Sequence, residues 1–264
     1  PRPDQYVGIA TYVGNGGTQS INSLNMDPDL VWIKNRDEDV SHFLYDSVRG
    51  ANKYLRPDGT FAEDTGSSNE LSFIHKGFTV NGAGGGVNKN TINFVAWCWR
   101  AGGNKNTFNV DDVGYATASA AGLDGGDITP SGASVGTKQG FSIIKYAGSG
   151  TSGDTLPHGL LQTPDFIITK NLSDSSINWI VKPVGFLTDD SYMLLLDTNN
   201  AQFQGSGGHI SAQSSTTVTL TEGSNDGNYN NSGDDYIMYS WHNVPGLQKF
   251  GTYIGNGNSD GSYI

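Results

Sequence analysis

The sequence has almost no cysteine and few charged residues. Cys98 is the only cysteine among 264 residues, which excludes an internal disulfide and a cysteine-rich zinc site. Charged residues make up only 16% of the chain, and its formal net charge is -11. Binding to nucleic-acid phosphates needs a basic face, so we expect no nucleic-acid partner. A run of about 20 apolar residues, as a membrane-spanning helix requires, is also missing, and we expect no membrane insertion.

Catalytic motifs are missing as well. A sandwich-fold glycoside hydrolase needs two facing carboxylates, commonly spaced as Glu-x-Asp-x-x-Glu on one strand. The chain has four glutamates, and none has that spacing; they are Glu38, Glu63, Glu70 and Glu222. Its histidines are scattered, and no His-Glu-x-x-His motif occurs. The sequence therefore predicts a protein that is not an enzyme.

Glycine is abundant, and short apolar runs recur along the chain. There are 37 glycines, with many asparagine, serine and threonine residues, which supply turns. The apolar runs are rich in β-branched and aromatic residues, and no segment shows a sustained helical period. This pattern predicts an all-β protein, either a sandwich or a jelly roll.

The chain repeats itself. Three pairs of segments align in the same order: "GIATYVGNG" (8–16) with "SIIKYAGSG" (142–150), "PDLVWIKN" (28–35) with "PDFIITKN" (164–171), and "NFVAWCW" (93–99) with "DYIMYSW" (235–241). A repeat of about 100 residues suits a sandwich domain. We therefore expect two tandem antiparallel β-sandwich domains, residues 1–103 and 140–247.

Two further segments flank the second copy. Residues 104–139 are rich in glycine, alanine and serine, and we expect them to lie on a surface as a connection. Their start, "FNVDDVGYA", can pair as an extra strand. Residues 248–264 contain "TYIGNG", a third copy of the opening phrase. They are either the start of a third repeat in a longer chain or a terminal strand of the second domain.

Aromatic side chains are the best candidates for binding, because sugar rings stack on their faces. Alternation along "AWCW" places Trp97 and Trp99 on one side of a strand. We expect Trp99 and its counterpart Trp241 to be core residues. For Trp97 and Tyr239 the sequence does not decide between a core and a surface position. Core positions are also predicted for the other two tryptophans, Trp32 and Trp179. A glycan site is expected to use loop aromatics instead, namely Tyr115, Phe203 and Tyr229.

Two other candidate sites concern charged and polar side chains. Asp46 and Arg49 have opposite charges, and both charges are absent from the second repeat when Asp46 is aligned with Lys182. Joint loss of this kind predicts a structural ion pair. The loop "SNDGNYNNSGDD" (224–235) offers oxygen ligands of the kind calcium takes, but it lacks the EF-hand spacing. Because asparagine and glycine form such turns without an ion, we assign no metal and no cofactor.

The combination "YVGNGGTQSI…PDLVWIKNRD…YDSVRGANKYL…GFTV…NFVAWCWRAGG" resembles a repeated module of phage structural proteins. These are mainly tail-fibre and appendage proteins of marine and cyanobacterial phages, with concanavalin-A-like jelly-roll domains. The likeness covers residues 6–103, recurs through 140–244 and restarts at 250. It implies a virion-surface protein, often trimeric, whose partners are other virion proteins and a host-surface glycan. No catalytic residue carries over from the resemblance.

Three functions remain open at the level of the sequence. The first is a non-enzymatic virion protein, a phage tail fibre or appendage that contributes to host attachment. The second is a carbohydrate-binding, lectin-like module. The third is a glycoside hydrolase of the same fold, which would require a pair of facing carboxylates.

Overall fold

The computed structural model describes residues 2–66, 69–204, 208–221, 227–258 and 260–261. As predicted, the described chain is all-β: one 3-10 turn, Pro3–Gln5, precedes 21 strands, and no α-helix occurs in these ranges. None of the described residues forms a helix that is long and apolar enough to cross a membrane.

Nine strands form the first repeat unit. They are β1 (Val7–Val13), β2 (Gln19–Ile21), β3 (Leu30–Asn35), β4 (Phe43–Asp46), β5 (Lys53–Tyr54), β6 (Asp64–Thr65), β7 (Glu70–Ile74), β8 (Gly77–Asn81) and β9 (Asn93–Trp99). A four-stranded antiparallel sheet has the order β1-β9-β3-β4, and a three-stranded sheet has the order β2-β8-β7. The two sheets share one apolar cluster, to which both contribute inward side chains such as Ile33 and Phe78. This arrangement is consistent with a β-sandwich.

The second repeat unit contains the other twelve strands. They are β10 (Phe108–Val110), β11 (Val113–Tyr115), β12 (Gly132–Gly136), β13 (Phe141–Ala147), β14 (Thr155–Pro157), β15 (Phe166–Asn171), β16 (Ile180–Pro183), β17 (Tyr192–Leu195), β18 (Phe203–Gln204), β19 (Ile210–Gln213), β20 (Thr217–Leu220) and β21 (Asp235–Trp241). Its main sheet has nine strands in the order β11-β10-β12-β13-β21-β15-β16-β17-β18, and β14-β20-β19 form a second sheet. A second apolar cluster contains inward residues of both sheets.

Strand pairing confirms the internal alignment. Val7 lies opposite Trp99 in the first unit, and Phe141 lies opposite Trp241 in the second. The central strands β9 and β21 each lie between the same two counterparts, β1 and β3 in one unit and β13 and β15 in the other. Equivalent sequence segments therefore occupy equivalent places in the two main sheets.

The segment 104–139 differs from the expectation of a surface connection. Its start forms the β10–β11 hairpin, which confirms the predicted extra strand, and β10 pairs in parallel with β12. Six of its side chains belong to the core of the second unit: Phe108, Ala118, Leu123, Ile128, Ala133 and Val135. The composition of the segment suggested a surface because it is rich in small residues. Small residues also pack closely in a strand that is buried on both faces, and β12 is such a strand. The segment is part of the second unit.

The segment "TYVGNG" (11–16) is hydrogen-bonded to the loop that contains Val87 and Asn88 in the first unit. The Tyr12 hydroxyl donates a hydrogen bond to the carbonyl of Val87, over 2.7 Å. The backbone N–H of Asn15 donates to the side-chain oxygen of Asn88, over 3.1 Å. Between these bonds, Gly14 approaches so closely that an added Cβ would lie 2.2 Å from the backbone oxygen of Lys89. Only glycine fits this contact.

The second copy, "KYAGSG", makes the same contacts. The Tyr146 hydroxyl donates to the carbonyl of Tyr229 over 2.7 Å, and the backbone N–H of Ser149 donates to the Asn230 side chain over 2.7 Å. A Cβ on Gly148 would lie 2.2 Å from the backbone oxygen of Asn231. We call this set of contacts the clamp: the tyrosine hydroxyl bond, the backbone bond to the asparagine side chain and the close approach of the glycine. The phrase is repeated because each unit uses the same clamp.

The third copy lies outside both sheets. The described residues from 248 onward form no strand, so the tail does not complete the second unit as a terminal strand there. Tyr253 and Ile254 have exposed side chains, and no atom lies within 4 Å of a Cβ added to Gly255.

The three copies supply a matched test of the clamp. Gly14→Ala and Gly148→Ala are each expected to lower the free energy of unfolding by about 1–3 kcal/mol, the usual cost of overpacking. Gly255→Ala occupies the same place in the phrase and meets nothing. Urea denaturation of the three variants measures the difference. Equal stability of all three would contradict the role assigned to the phrase.

Candidate functional site

The two repeat units pack against each other through a third apolar cluster. The first unit contributes buried residues of β3, β4 and neighbouring loops, including Leu30, Leu44 and Leu55. The second unit contributes the outward face of its main sheet, including Ile168 and Tyr239. Two hydrogen bonds also join the units. The backbone N–H of Glu63 donates to the carbonyl of Leu172 over 3.0 Å, and the Trp179 indole N–H donates to the carbonyl of Arg56 over 3.1 Å. The main sheets are therefore apolar on both faces.

A buried ion pair lies in this interface. The predicted Asp46–Arg49 bridge is confirmed, with Nε 2.5 Å from Oδ2 and both side chains fully buried. Arg49 also donates to the carbonyl of Leu44 over 3.0 Å and lies 3.5 Å from a Glu63 carboxylate oxygen. The Tyr239 hydroxyl of the second unit donates to Asp46 over 2.6 Å. Burial and the neighbouring Asp46 carboxylate raise the pKa of Tyr239, so its hydroxyl keeps its proton and donates.

The register corrects the alignment of this pair with the second repeat. Leu30 lies opposite Asp46, and its counterpart Phe166 lies opposite Pro183. Asp46 therefore corresponds to Pro183 and not to Lys182. Lys182 points elsewhere, and its ammonium donates to the carbonyl of Asp190 over 2.7 Å. The second repeat still lacks the ion pair, so the inference from joint loss holds although the alignment was wrong by one residue.

An open cleft lies beside the ion pair, between the two units. Its volume is about 480 Å³, and its aromatic lining comprises Trp32, Trp99, Phe166, Trp179, Tyr239, Trp241 and Phe250. The Phe166 and Phe250 rings stack with centroids 5.3 Å apart, which fixes the C-terminal wall. Lys249, which is exposed, brings the only charge among the described residues that line the cleft. Ring faces are therefore the main chemistry that the cleft offers to a ligand.

A second, shallower hollow adjoins the cleft on the first unit. It has a volume of about 320 Å³ and is lined by Trp32, His42, Trp97 and Trp99. Trp32 and Trp99 also line the cleft, so the two cavities share a wall. Together they are lined by all five tryptophans of the chain.

A histidine holds one of these rings in place. The Trp32 indole N–H donates to Nδ1 of His42 over 2.9 Å, and the two rings are close to perpendicular, with an interplanar angle of 76°. Partial burial lowers the pKa of His42, which favours the neutral ring. Neutral His42 can accept the indole proton at Nδ1, and this contact orients Trp32 towards the hollow.

The tryptophans are not placed as predicted. Trp179 and Trp241 are buried, but between the two units and not inside one sandwich. Trp32, Trp97 and Trp99 are only partly buried, so the predictions of a core position for Trp32 and Trp99 were wrong. The signal that could have found this site is the run "PDLVWIKN", which is apolar at both alternate sets of positions. Such a run indicates a strand covered on two faces.

The loop aromatics that we expected to bind a glycan lie elsewhere. Tyr229 is 1% exposed and belongs to the core of the second unit, so its ring cannot stack on a sugar. Tyr115 and Phe203 are partly buried and pack against the same core. None of the three lines the cleft. For Tyr229 the expectation was wrong, because its loop returns the ring to the sandwich interior. Tyr115 and Phe203 lie on strands β11 and β18 and not on loops, and a glycan contact by these two residues stays a prediction.

The loop that was considered for calcium is described only in part. Residues 224–226 lie outside the described residues, and the remainder of the loop carries the clamped Asn230. Across the described ranges, no cluster of three or more histidine, cysteine or acidic side chains could hold a metal ion.

Comparison with known proteins identifies a family for the chain. A family model described as "Domain of unknown function (DUF7483)" matches residues 2–264, so the chain belongs to that family. No curated protein and no solved structure gives a match to the chain.

Proposed function

We propose that this member of the DUF7483 family is a non-enzymatic structural protein of a virion appendage that attaches to a host-surface glycan. In this proposal the two repeat units are tandem concanavalin-A-like jelly-roll sandwiches, and the cleft between them binds the glycan. One observation carries the proposal: all five tryptophans line the cleft and its adjoining hollow, and three of them remain partly exposed.

Exposed indole rings favour binding over packing. Large aromatic side chains are normally used to fill cores, and leaving them open forfeits that stabilisation. Sugar rings present flat C–H faces that fit against indole, while the hydroxyls point to the rim. Lys249 lines the cleft and is exposed, so its ammonium group can bond such hydroxyls. An open aromatic cleft with a cationic donor in its lining therefore suits a carbohydrate.

The packing of the two units supports a structural role. Hydrogen bonds, an apolar cluster and the buried Asp46–Arg49 pair with Tyr239 all lie between the units. A fixed relation between successive modules is what a spacer in an appendage needs. The same packing keeps the two walls of the cleft at a constant separation.

Two alternatives make different demands on the same cleft. A dedicated lectin would bind free oligosaccharide with the same rings but would not assemble with virion proteins. A glycoside hydrolase would need two facing carboxylates at the cleft. Among the described residues, the lining of the cleft contains no carboxylate. Ring stacking is therefore the chemistry that we assign to it.

The test is binding of the labelled protein to host-type bacterial cells before and after periodate oxidation of their surface glycans. Saturable binding that periodate abolishes is expected. Trp99→Ala removes a ring that the first unit contributes to the cleft, and Phe250→Ala removes one that follows the second unit. Each should weaken binding at least about tenfold, equivalent to ~1.4 kcal/mol.

Tyr253→Ala is the matched control, because this exposed aromatic residue follows Phe250 by three positions and does not line the cleft. Its binding should equal that of the unmodified protein. Melting curves establish that each variant is folded. Binding that survives periodate, or that falls equally for Tyr253→Ala and Phe250→Ala, would sink the proposal.

A further inference from the structure

The outward face of the main sheet differs between the two units in its exposure. In the second unit, one row across the sheet contains Ile143, Tyr239, Ile168 and Val181, which are 0, 1, 7 and 5% exposed. Every member of this row is covered because the first unit packs against it.

The corresponding row of the first unit is open over most of its length. Register places Ile9, Trp97, Trp32 and Leu44 in line across β1, β9, β3 and β4. Only Leu44, at one end, is covered by the second unit. Ile9 at the other end is 64% exposed, and the two tryptophans between them are partly exposed. We call Ile9, Trp97 and Trp32, with Val95 beside them, the open face.

The open face is apolar where a solvent-facing sheet is normally polar. Antiparallel sheets alternate apolar residues towards the core with polar residues towards water. Here Ile9 and Trp97 stand directly opposite each other on the outward side, and Trp32 continues the apolar row on β3, whereas the exposed Thr11 separates Val13 from it. A contiguous apolar patch on a sheet marks an interaction surface.

The chain itself shows what covers a face of this kind. The equivalent face of the second unit is covered by another unit of the same repeat, and the open face is continuous with that interface through Leu44. We propose that the open face packs against the open face of a second copy of this chain. A self-complementary contact between identical patches produces a two-fold dimer, the commonest form of assembly.

The open face overlaps the proposed glycan site at Trp32 and Trp97, which line the hollow. Ile9 and Val95 line neither cavity, and Phe166 and Phe250 do not belong to the open face, so each site has residues that can be changed without touching the other. Each copy carries a formal net charge of -11, so two copies repel one another at low ionic strength. Salt screens this repulsion and leaves apolar contact intact, so self-association should become tighter as salt is raised.

Sedimentation velocity over a range of protein concentrations tests the proposal on the full chain. The unmodified protein is expected to form a reversible dimer, tighter at high salt. Ile9→Glu places a charge in the open face and should weaken the dimer at least about tenfold. Because Ile9 is 64% exposed, the variant should keep the fold, which its melting curve checks.

Leu161→Glu is the matched control, since Leu161 is a 74% exposed apolar residue outside the open face. It should sediment as the unmodified protein does. A chain that remains monomeric up to on the order of 100 µM, or an oligomer that Ile9→Glu leaves unchanged, would overturn the proposal. Cell binding by the cleft is measured separately, so loss of one result does not imply loss of the other.

Discussion

Replacing Arg49 with methionine is expected to lower the free energy of unfolding by about 3–5 kcal/mol. The substitution keeps an unbranched apolar stem but leaves the Asp46 carboxylate in a fully buried site without its cation. The carbonyl of Leu44 loses one of its two donors and keeps the N–H of Leu55, while Asp46 keeps the Tyr239 hydroxyl and the backbone N–H groups of positions 48 and 49. These neutral donors cannot replace the lost cation, because an unpaired charge in a low-dielectric interior carries a large desolvation cost. Chemical denaturation measures the change.

Two comparisons identify the cause of that loss. Lys89→Met breaks the Lys89–Glu38 pair, whose side chains are 47% and 33% exposed, and should cost at most about 1 kcal/mol. The double variant Asp46→Asn, Arg49→Met removes both charges and should recover part of the stability that Arg49→Met loses. If Arg49→Met and Lys89→Met were equally mild, the buried pair would not hold the two units together.

The second large effect concerns His158 and acid. This side chain is fully buried, with Nδ1 accepting from the Leu160 N–H over 3.1 Å and Nε2 lying 3.2 Å from the carbonyl of Ser214. A neutral ring satisfies both contacts. Burial lowers the pKa of His158 from the ordinary 6.5 to about 4. Folding therefore opposes protonation of this ring.

The direction of the pH dependence follows from that shift. Above pH 6.5 the ring is neutral in both states and contributes no pH dependence. Between pH 6.5 and about 4, the unfolded chain takes up a proton that the folded chain excludes. Stability therefore falls as pH is lowered through this window, by about 3 kcal/mol in total.

His158→Gln should abolish this contribution. The difference in unfolding free energy between pH 7 and pH 4 should shrink by about 3 kcal/mol relative to the unmodified protein, whatever the variant costs at pH 7. His75→Gln is the control, because the His75 side chain is 78% exposed. An unchanged pH dependence in His158→Gln would show that the ring is not held neutral by the fold.

Most of the strands could be predicted from the sequence, because both repeat units show the same local signals in the same order. The runs that became β3 and β15 are bounded by a turn and by Lys-Asn, and their asparagines bond alike. Asn35 and Asn171 each accept hydrogen bonds from the N–H groups two and three residues ahead. Because the segment is duplicated, the same strand signals occur twice, and the assignment of one copy supports the assignment of the other.

The site could not be predicted, because its position depends on how the units pack. Alternation indicates which residues share a face of a strand but not whether that face meets water, a core or another unit. Trp97 and Tyr239 occupy equivalent register positions, yet one lines an open hollow and the other is buried against Asp46. Only the offset between the two main sheets distinguishes them.

The order of strands has a consequence for how the chain folds. In each unit the last strand to be synthesised, β9 or β21, lies in the middle of the main sheet and not at an edge. Val7 cannot pair with Trp99, nor Phe141 with Trp241, until the later residue has been synthesised, so neither main sheet can be completed earlier. Contacts this distant in sequence make folding slow, since a long loop must be ordered before any pairing rewards it. A nascent first unit therefore holds β1 apart from the β3–β4 pair, and a nascent second unit holds β12–β13 apart from β15–β16, until a last strand of seven residues joins the two sides at once.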